Sequence, residues 1–193
     1  SIPLGPWQTN ALVLHSTNNE VTICDPGMDP APLLDHLQQH DLLVKQIILT
    51  HAHVDHIAGI DAVSHCFDDP PILVHPEEQQ WLNQPELNLS SLSGFDVTTR
   101  PATGTIVDGQ SVSVGVEEAK VWHLPGHSPG SIGLYFQTKN ILIGGDTLFQ
   151  GSIGRTDFPT SEPEAMEASL RRLLTLPDET RVYPGHGPST TIG

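Results

Sequence analysis

Thr50-His51-Ala52-His53-Val54-Asp55-His56 places three imidazoles and a carboxylate within six residues, directly after a run that reads as a buried strand. Lys45 to Thr50 is largely β-branched and apolar over one strand's length, and Ile57-Ala58-Gly59-Ile60-Asp61-Ala62-Val63 resumes with helical spacing. The cluster therefore sits at a strand-to-helix turn. In extended backbone positions 51, 53 and 55 project from one face, and the turn brings His56 beside Asp55. One short loop then supplies His51 with His53 for one cation and Asp55 with His56 for a second. So dense a set of ligands, flanked by apolar structure, is not explained as a polar surface loop.

Each zinc-like ion wants about three protein donors plus solvent, so the first turn cannot complete two sites by itself. Three more donors stand at predicted strand ends beside glycines: His127 in Pro125-Gly126-His127, Asp146 in Gly144-Gly145-Asp146 and His186 in Pro184-Gly185-His186-Gly187. The glycines let backbone approach closely and take positive φ. A carboxylate has two oxygens, which makes Asp146 the natural shared ligand. His123 rivals His127, but Pro125-Gly126 forbids a helix that would bring both to one face. His15, His36, His40, His65, His75 and His123 read as surface or hydrogen-bonded structural residues. Asp25, at a strand end before Pro26, is either an acceptor that fixes the tautomer of a ligand histidine or a plain turn former.

Outward from these motifs, Ala11 to His15 and Val21 to Cys24 read as strands joined at Asn18-Asn19, and Pro30 to Gln39 as a helix on Leu33, Leu34 and Leu37. A helix is expected from His56 to Cys66, a strand over Pro71 to His75 and a helix from Pro76 to Leu82. Asn83 to Thr105 reads as a long connection bordering the site. Strands are predicted over 111–114, 119–124, 131–136, 141–145 and 180–183. Ser161-Glu162-Pro163-Glu164 has the form of a capping box before a helix with Met166, Leu170, Leu173 and Leu174 on one stripe.

The 193 residues suit one domain over 1–193 with a core that needs no staples. With 23 acidic against 8 basic side chains the formal charge is -15, which disfavours nucleic acid and anionic membranes as partners. No apolar run reaches membrane-spanning length, and the first residues, with Pro3 and Pro6 and no basic start, do not read as a signal peptide. Cys24 reads as a small core residue, and two isolated cysteines fit a reducing compartment; a cytoplasmic monomer is expected.

The set T-H-x-H-x-D-H, P-G-H, G-D-T-L-F and Y-P-G-H-G-P, in this order, resembles the metallo-β-lactamase-fold hydrolases and most closely the compact glyoxalase II-like proteins, over Asn10 to Thr191. The resemblance implies an α/β chain folded as a four-layer αββα sandwich with a binuclear site at one edge. It assigns His51, His53 and His127 to the first metal, Asp55, His56 and His186 to the second, and Asp146 as bridge. The cofactors implied are two divalent ions, zinc first, with iron or manganese accepted by the same donors. True β-lactamases of this fold diverge at the Asp146 position, which turns the expectation towards thioester or lactone hydrolysis.

Two such ions about 3.5 to 4 Å apart acidify a bridging water, so that hydroxide attacks while a metal polarises the carbonyl. Asp55 is the expected catalytic group, orienting that attack with its free oxygen. The leading substrate is a glutathione thioester such as S-lactoylglutathione. Arg155 stands where the larger glyoxalase II enzymes place a basic glutathione contact, and either pairs with a substrate carboxylate or is an exposed structural residue. Asp157 and Pro188 stand where those enzymes have tyrosines, so the pocket must be built differently. The runner-up is a one-iron persulfide dioxygenase, which shares the Gly154-Arg155-Thr156-Asp157-Phe158 run but typically reads Pro-Ala-His-Asp where this chain has Pro184-Gly185-His186-Gly187. A metal-stabilised binding module without turnover would instead have a closed site.

Overall fold

A computed structural model describes residues 1–193. Ile2–Leu4 (β1), Thr9–His15 (β2), Glu20–Cys24 (β3), Leu43–Ile48 (β4), Ile72–Val74 (β5) and Gly104–Thr105 (β6) lie side by side in that order. The first three pair antiparallel, and β3 to β6 run parallel. The second sheet contains Ser111–Val114 (β7), Glu117–His123 (β8), Ile132–Phe136 (β9) and Ile141–Gly145 (β10). Leu148–Phe149 (β11) and Ser152–Ile153 (β12) form a separate small hairpin, after which Arg181–Pro184 (β13) and Thr190–Thr191 (β14) rejoin the second sheet. Its order is β14-β13-β10-β9-β8-β7, antiparallel except where β13 runs parallel to β10.

Period-two alternation builds the layers. In β4, Ile47 joins the cluster beneath the outer helices while its neighbour Ile48 joins the cluster between the sheets. In β10, Ile143 faces the other sheet and Leu142 faces outward, against Leu173 and Val182. Ala31–Gln39 (α1), Val54–Ile57 (α2) and Ile60–Cys66 (α3) cover the first sheet, with Leu33, Leu37, Ile57, Ile60 and Val63 in the cluster they share with it. Pro163–Leu173 (α4) covers the second sheet. The chain is thus an α/β sandwich of four layers, helix, sheet, sheet, helix. Leu33 and Leu37 are fully buried, and each contributes about 1.5 to 3 kcal/mol on leaving water. Cys24 lies in the core between the sheets. No helix is long and apolar enough to cross a membrane.

Four expectations need correction. The helix expected over His56 to Cys66 is two pieces, α2 and α3, because the strand-end turn at Pro26 presses into it. Gly59 N donates to the Pro26 carbonyl at 2.7 Å, and a Cβ at Gly59 would sit 2.3 Å from that oxygen. Pro76–Asn83 is a 3-10 segment instead of an α-helix. The capping box does not form: Ser161 donates its hydroxyl to the His127 carbonyl at 2.6 Å, and α4 begins with Pro163 after Glu162. Leu174 lies past the end of α4 and is 70% exposed, so the buried stripe is Met166, Ser169 and Leu173.

Candidate metal centre

All seven predicted donors follow the carboxyl ends of strands. His51 and His53 follow β4, and Asp55 and His56 open α2 just beyond; His127 follows β8, Asp146 follows β10 and His186 follows β13. Because β8, β10 and β13 point the same way, their loops gather at one edge of the sandwich. Close backbone contacts hold that edge together. Asn10 donates through Nδ2 to the carbonyls of Pro184 at 3.0 Å and Gly187 at 2.8 Å, and Asn10 N donates to Gly185 O at 2.7 Å. At Gly126, φ is +135° and an added Cβ would meet Met166 N at 2.3 Å, so the loop bearing His127 rests directly on α4.

The donor atoms converge. His53 Nδ1 lies 2.9 Å from His127 Nε2, and the His51 ring is edge-on to both at 4.7 and 4.9 Å. Asp146 stands in the middle: Oδ1 is 3.6 Å from His56 Nε2, and Oδ2 is 3.5 Å from His127 Nε2 and 3.4 Å from His186 Nε2. Asp55 Oδ2 lies 3.1 Å from His186 Nε2 and 3.5 Å from His56 Nε2. Among the seven donors three sets could each hold an ion: His51, His53 and His127; His51, His56 and Asp146; Asp55, His56 and His186.

The outer nitrogens of four imidazoles are fixed by the protein, which leaves the inner ones facing the site. His56 Nδ1 donates to Asp25 Oδ2 at 3.0 Å, His127 Nδ1 to the Arg155 carbonyl at 2.9 Å and His186 Nδ1 to the Trp7 carbonyl at 3.0 Å. His51 Nδ1 lies 3.2 Å from the Thr50 hydroxyl. Asp25 is itself buried and braced by Thr50, through N at 2.8 Å and Oγ1 at 2.6 Å. Within the protein, His51 Nε2, His56 Nε2 and Asp146 Oδ1 are buried without a hydrogen-bond partner. Leaving such groups unsatisfied costs about 1 to 3 kcal/mol each, and more for a charged one. A divalent cation with nitrogen and oxygen ligands answers that deficit, so the residues fit one.

Electrostatics separate the two ends of the site. Burial holds His51 well below the usual imidazole range, His53 at about 3 and His127 also low, so this trio is neutral and ready to ligate. Burial works against the charged form of His56 too, but Asp55, Asp146 and Asp25 outweigh it and raise this imidazole. His186 is raised to about 9, burial being overcome by hydrogen bonds to Asp146 and Asp55. Burial likewise opposes ionisation of Asp55 and Asp146, yet His56 and His186 keep both below the ordinary carboxylate range.

Five of the donors, His53, Asp55, His127, Asp146 and His186, form the floor of a cavity of about 470 Å³ whose walls are Trp7, Val54, Leu89, Leu92, Phe149 and Phe158. Leu89, Leu92 and Ser93 come from the long connection expected to border the site. Arg155 also lines the cavity, exposed, with Nε and Nη2 each 2.8 Å from an oxygen of Asp157 and its guanidinium 4.4 Å from the Phe158 ring centre. A smaller cleft of about 330 Å³ between the sheets holds none of the seven donors. His123 is apart from the site, stacked on His75 at 4.2 Å with Nε2 donating to the Pro129 carbonyl.

Reading the residues alone missed several partners. Thr9 donates its hydroxyl to Asp55 Oδ2 at 2.7 Å. The carbonyls of Trp7 and Arg155 carry no side-chain signature at all. Glu78, fully buried, accepts amides beside His53 and beyond His127, and burial pushes its carboxyl up to about 7.

Comparison with known proteins agrees with this geometry. The family model described as "Metallo-beta-lactamase superfamily" matches residues 4–186. Among curated relatives, the probable metallo-hydrolase YqgX of Bacillus subtilis is 39% identical over 99% of this chain and 90% of its own length. The hydroxyacylglutathione hydrolase GloC of Haemophilus influenzae is 33% identical over 100% and 92%. Among solved structures, BLEG-1, described as a B3 metallo-beta-lactamase, superposes with a TM-score of 0.94 at 45% identity over 99% of this chain and 92% of that one. TTHA1623 in a di-iron-bound form gives 0.88 at 38% identity over 99% and 93%.

Proposed function

The chain belongs to the metallo-beta-lactamase superfamily as a metal-dependent hydrolase, and from that premise we propose that it cleaves acyl thioesters, a hydroxyacyl glutathione thioester foremost. The observation that carries the reading is Asp146, whose two oxygens face the donors of both trios at the floor of an open cavity. The name of the Haemophilus relative supports the thiol. In this reading His51, His53 and His127 would hold one ion and Asp55, His56 and His186 a second, with Asp146 available to both. Two divalent ions there, zinc, iron or manganese by donor type, supply an acidified water and a Lewis acid for the carbonyl.

The chain's own residues do the rest. Asp55 stays ionised, is oriented by the Thr9 hydroxyl, and accepts a hydrogen bond from the attacking water. Trp7, Leu92 and Phe158 offer apolar walls against which the acyl group packs. Arg155 exchanges Asp157 for a substrate carboxylate; both groups lie in solvent, where such a pair is weak. A thiolate leaves without acid assistance. The proposal includes a cytoplasmic monomer acting on a small molecule.

One observation favours a second reading, β-lactam hydrolysis: the 45% identity to BLEG-1. The test is elemental analysis of protein purified without chelator, with kcat/KM measured on S-lactoylglutathione, an uncharged thioester, a lactone, a chromogenic cephalosporin and glutathione persulfide. Thioesters should lead, and Asp146→Ala should abolish turnover and lower metal content at both sites. A β-lactam turned over faster than any thioester, or one iron per chain with oxygen uptake on the persulfide, overturns the proposal.

A further inference from the structure

The chemistry above leaves one wholly buried carboxylate without a role. Glu78 stands in the 3-10 segment Pro76–Asn83, is 0% exposed, and accepts hydrogen bonds from two backbone amides, with the Ser128 side chain also against its carboxyl. Oε2 accepts from Ala52 N at 2.5 Å and Oε1 from Gly130 N at 2.7 Å. Ala52 separates His51 from His53, and Gly130 lies in the turn that begins at His127. A single carboxylate therefore spans two loops from different sheets, and those loops carry the three imidazoles of one trio. Burying a carboxylate among apolar groups is costly, and an apolar side chain of similar volume is the usual solution where only stability matters. The loop leaves room for it: a Cβ at Gly130 would come within 2.8 Å of Glu78 Cγ and 3.0 Å of its carboxyl carbon.

The other trio is braced differently. Asp55 is held by Thr9, His56 by Asp25 and His186 by the Trp7 carbonyl. Disturbing Glu78 therefore changes the spacing of His127 from His51 and His53 and leaves the second set of braces intact.

We propose that Glu78 is a positioning residue that sets the separation of His127 from His51 and His53, and thereby the affinity of that trio for its ion, without touching the ion. The inference rests on the metal reading of the site. Glu78→Gln replaces one acceptor with an amide NH2, which cannot receive the second backbone N–H. Gly130→Ala keeps the carboxyl group and displaces it with a methyl group.

The test measures Co(II) affinity by chelator competition in two backgrounds. His186→Ala retains the first trio, and His53→Ala retains Asp55, His56 and His186. Glu78→Gln is expected to weaken binding about 10- to 100-fold in the His186→Ala background, the usual range for loss of a ligand-orienting partner, and by less than twofold in the His53→Ala background. Gly130→Ala should reproduce that selectivity, which keeps the question answerable should Glu78→Gln fail to fold. Equal loss in both backgrounds, or no loss in either, overturns the inference and identifies Glu78 as a plain loop staple. No Co(II) binding to the parent backgrounds would instead remove the metal reading, and the inference with it.

Discussion

Asp25→Asn isolates the tautomer argument with the least disturbance elsewhere. Asp25 has φ of +55°, a left-handed conformation that asparagine tolerates as aspartate does, so backbone and volume are preserved. The amide oxygen can take the place of Oδ1 and keep the Thr50 N–H at 2.8 Å. Its NH2 then replaces Oδ2, which accepts from Thr50 Oγ1 at 2.6 Å and His56 Nδ1 at 3.0 Å. The Thr50 hydroxyl can turn and accept; the imidazole N–H cannot. His56 must move its proton to Nε2, the nitrogen that faces Asp55 and Asp146, or leave two donors in contact. A hydrogen bond to a charged acceptor contributes about 1.5 to 3 kcal/mol. At about 1.4 kcal/mol per tenfold, that is roughly 10- to 150-fold in affinity for an ion held by Asp55, His56 and His186. Chelator-competition titration measures the affinity, and long-range 1H–15N correlation of the metal-loaded protein reads the tautomer. Affinity within twofold of the parent, with Nδ1 still protonated, would refute the reasoning.

Gly185→Ala would place a methyl carbon 2.2 Å from Asp146 Oδ1 and 2.7 Å from His56 Cε1, so metal content should fall at both sites while the fold, read by near-ultraviolet circular dichroism, is retained. Arg155→Ala should raise KM for a glutathione thioester by about two- to fivefold, as expected of a solvent-exposed ion pair, and leave an uncharged thioester nearly unchanged; equal effects would remove Arg155 from recognition. The metal-free chain should melt highest near pH 6.5. Below about 6.5 the unfolded state takes up protons that His51, His53 and His127 refuse in the fold, so stability falls towards the His53 value of about 3. The His186 contribution has the opposite sign: it is whole below about 6.5 and is lost as pH climbs through about 9. Bound cations should abolish the alkaline arm by displacing that proton, and a metal-free Tm that stays flat from neutral pH past about 9 would contradict the His186 assignment.

What the residues disclosed follows from where local chemistry decides. Ile47-Ile48 and Ile141-Leu142-Ile143 have one stable outcome, a strand buried on both faces, and both form as read. The paired Asn18 and Asn19 take φ of +60° and +59°, as a tight hairpin turn requires. Errors came where a distant segment overrides the local preference. Gly59 breaks a helix because Pro26 arrives from another loop, and Ser161 is drawn to the His127 carbonyl while the N-cap position falls to Glu162. The edge strands β1, β6 and β14 are too short to show a pattern. In the site, histidines flanked by glycine were visible as ligands by type, whereas Thr9 and Glu78 are ordinary residues whose importance comes only from what the fold sets beside them.

The polypeptide passes from one sheet to the other once, between Thr105 at the end of β6 and Ser111 at the start of β7, through a turn in which Val107 is exposed. His51, His53, Asp55 and His56 lie before that crossing and His127, Asp146 and His186 after it, so the outer trios each draw on both sides. The chain therefore comprises two halves that meet through the apolar layer between the sheets and through donors at the rim that could share a cation. Cut at Val107, the fragments should recombine into a working catalyst only when cations are supplied, a molecular clasp whose closure reports the availability of metal.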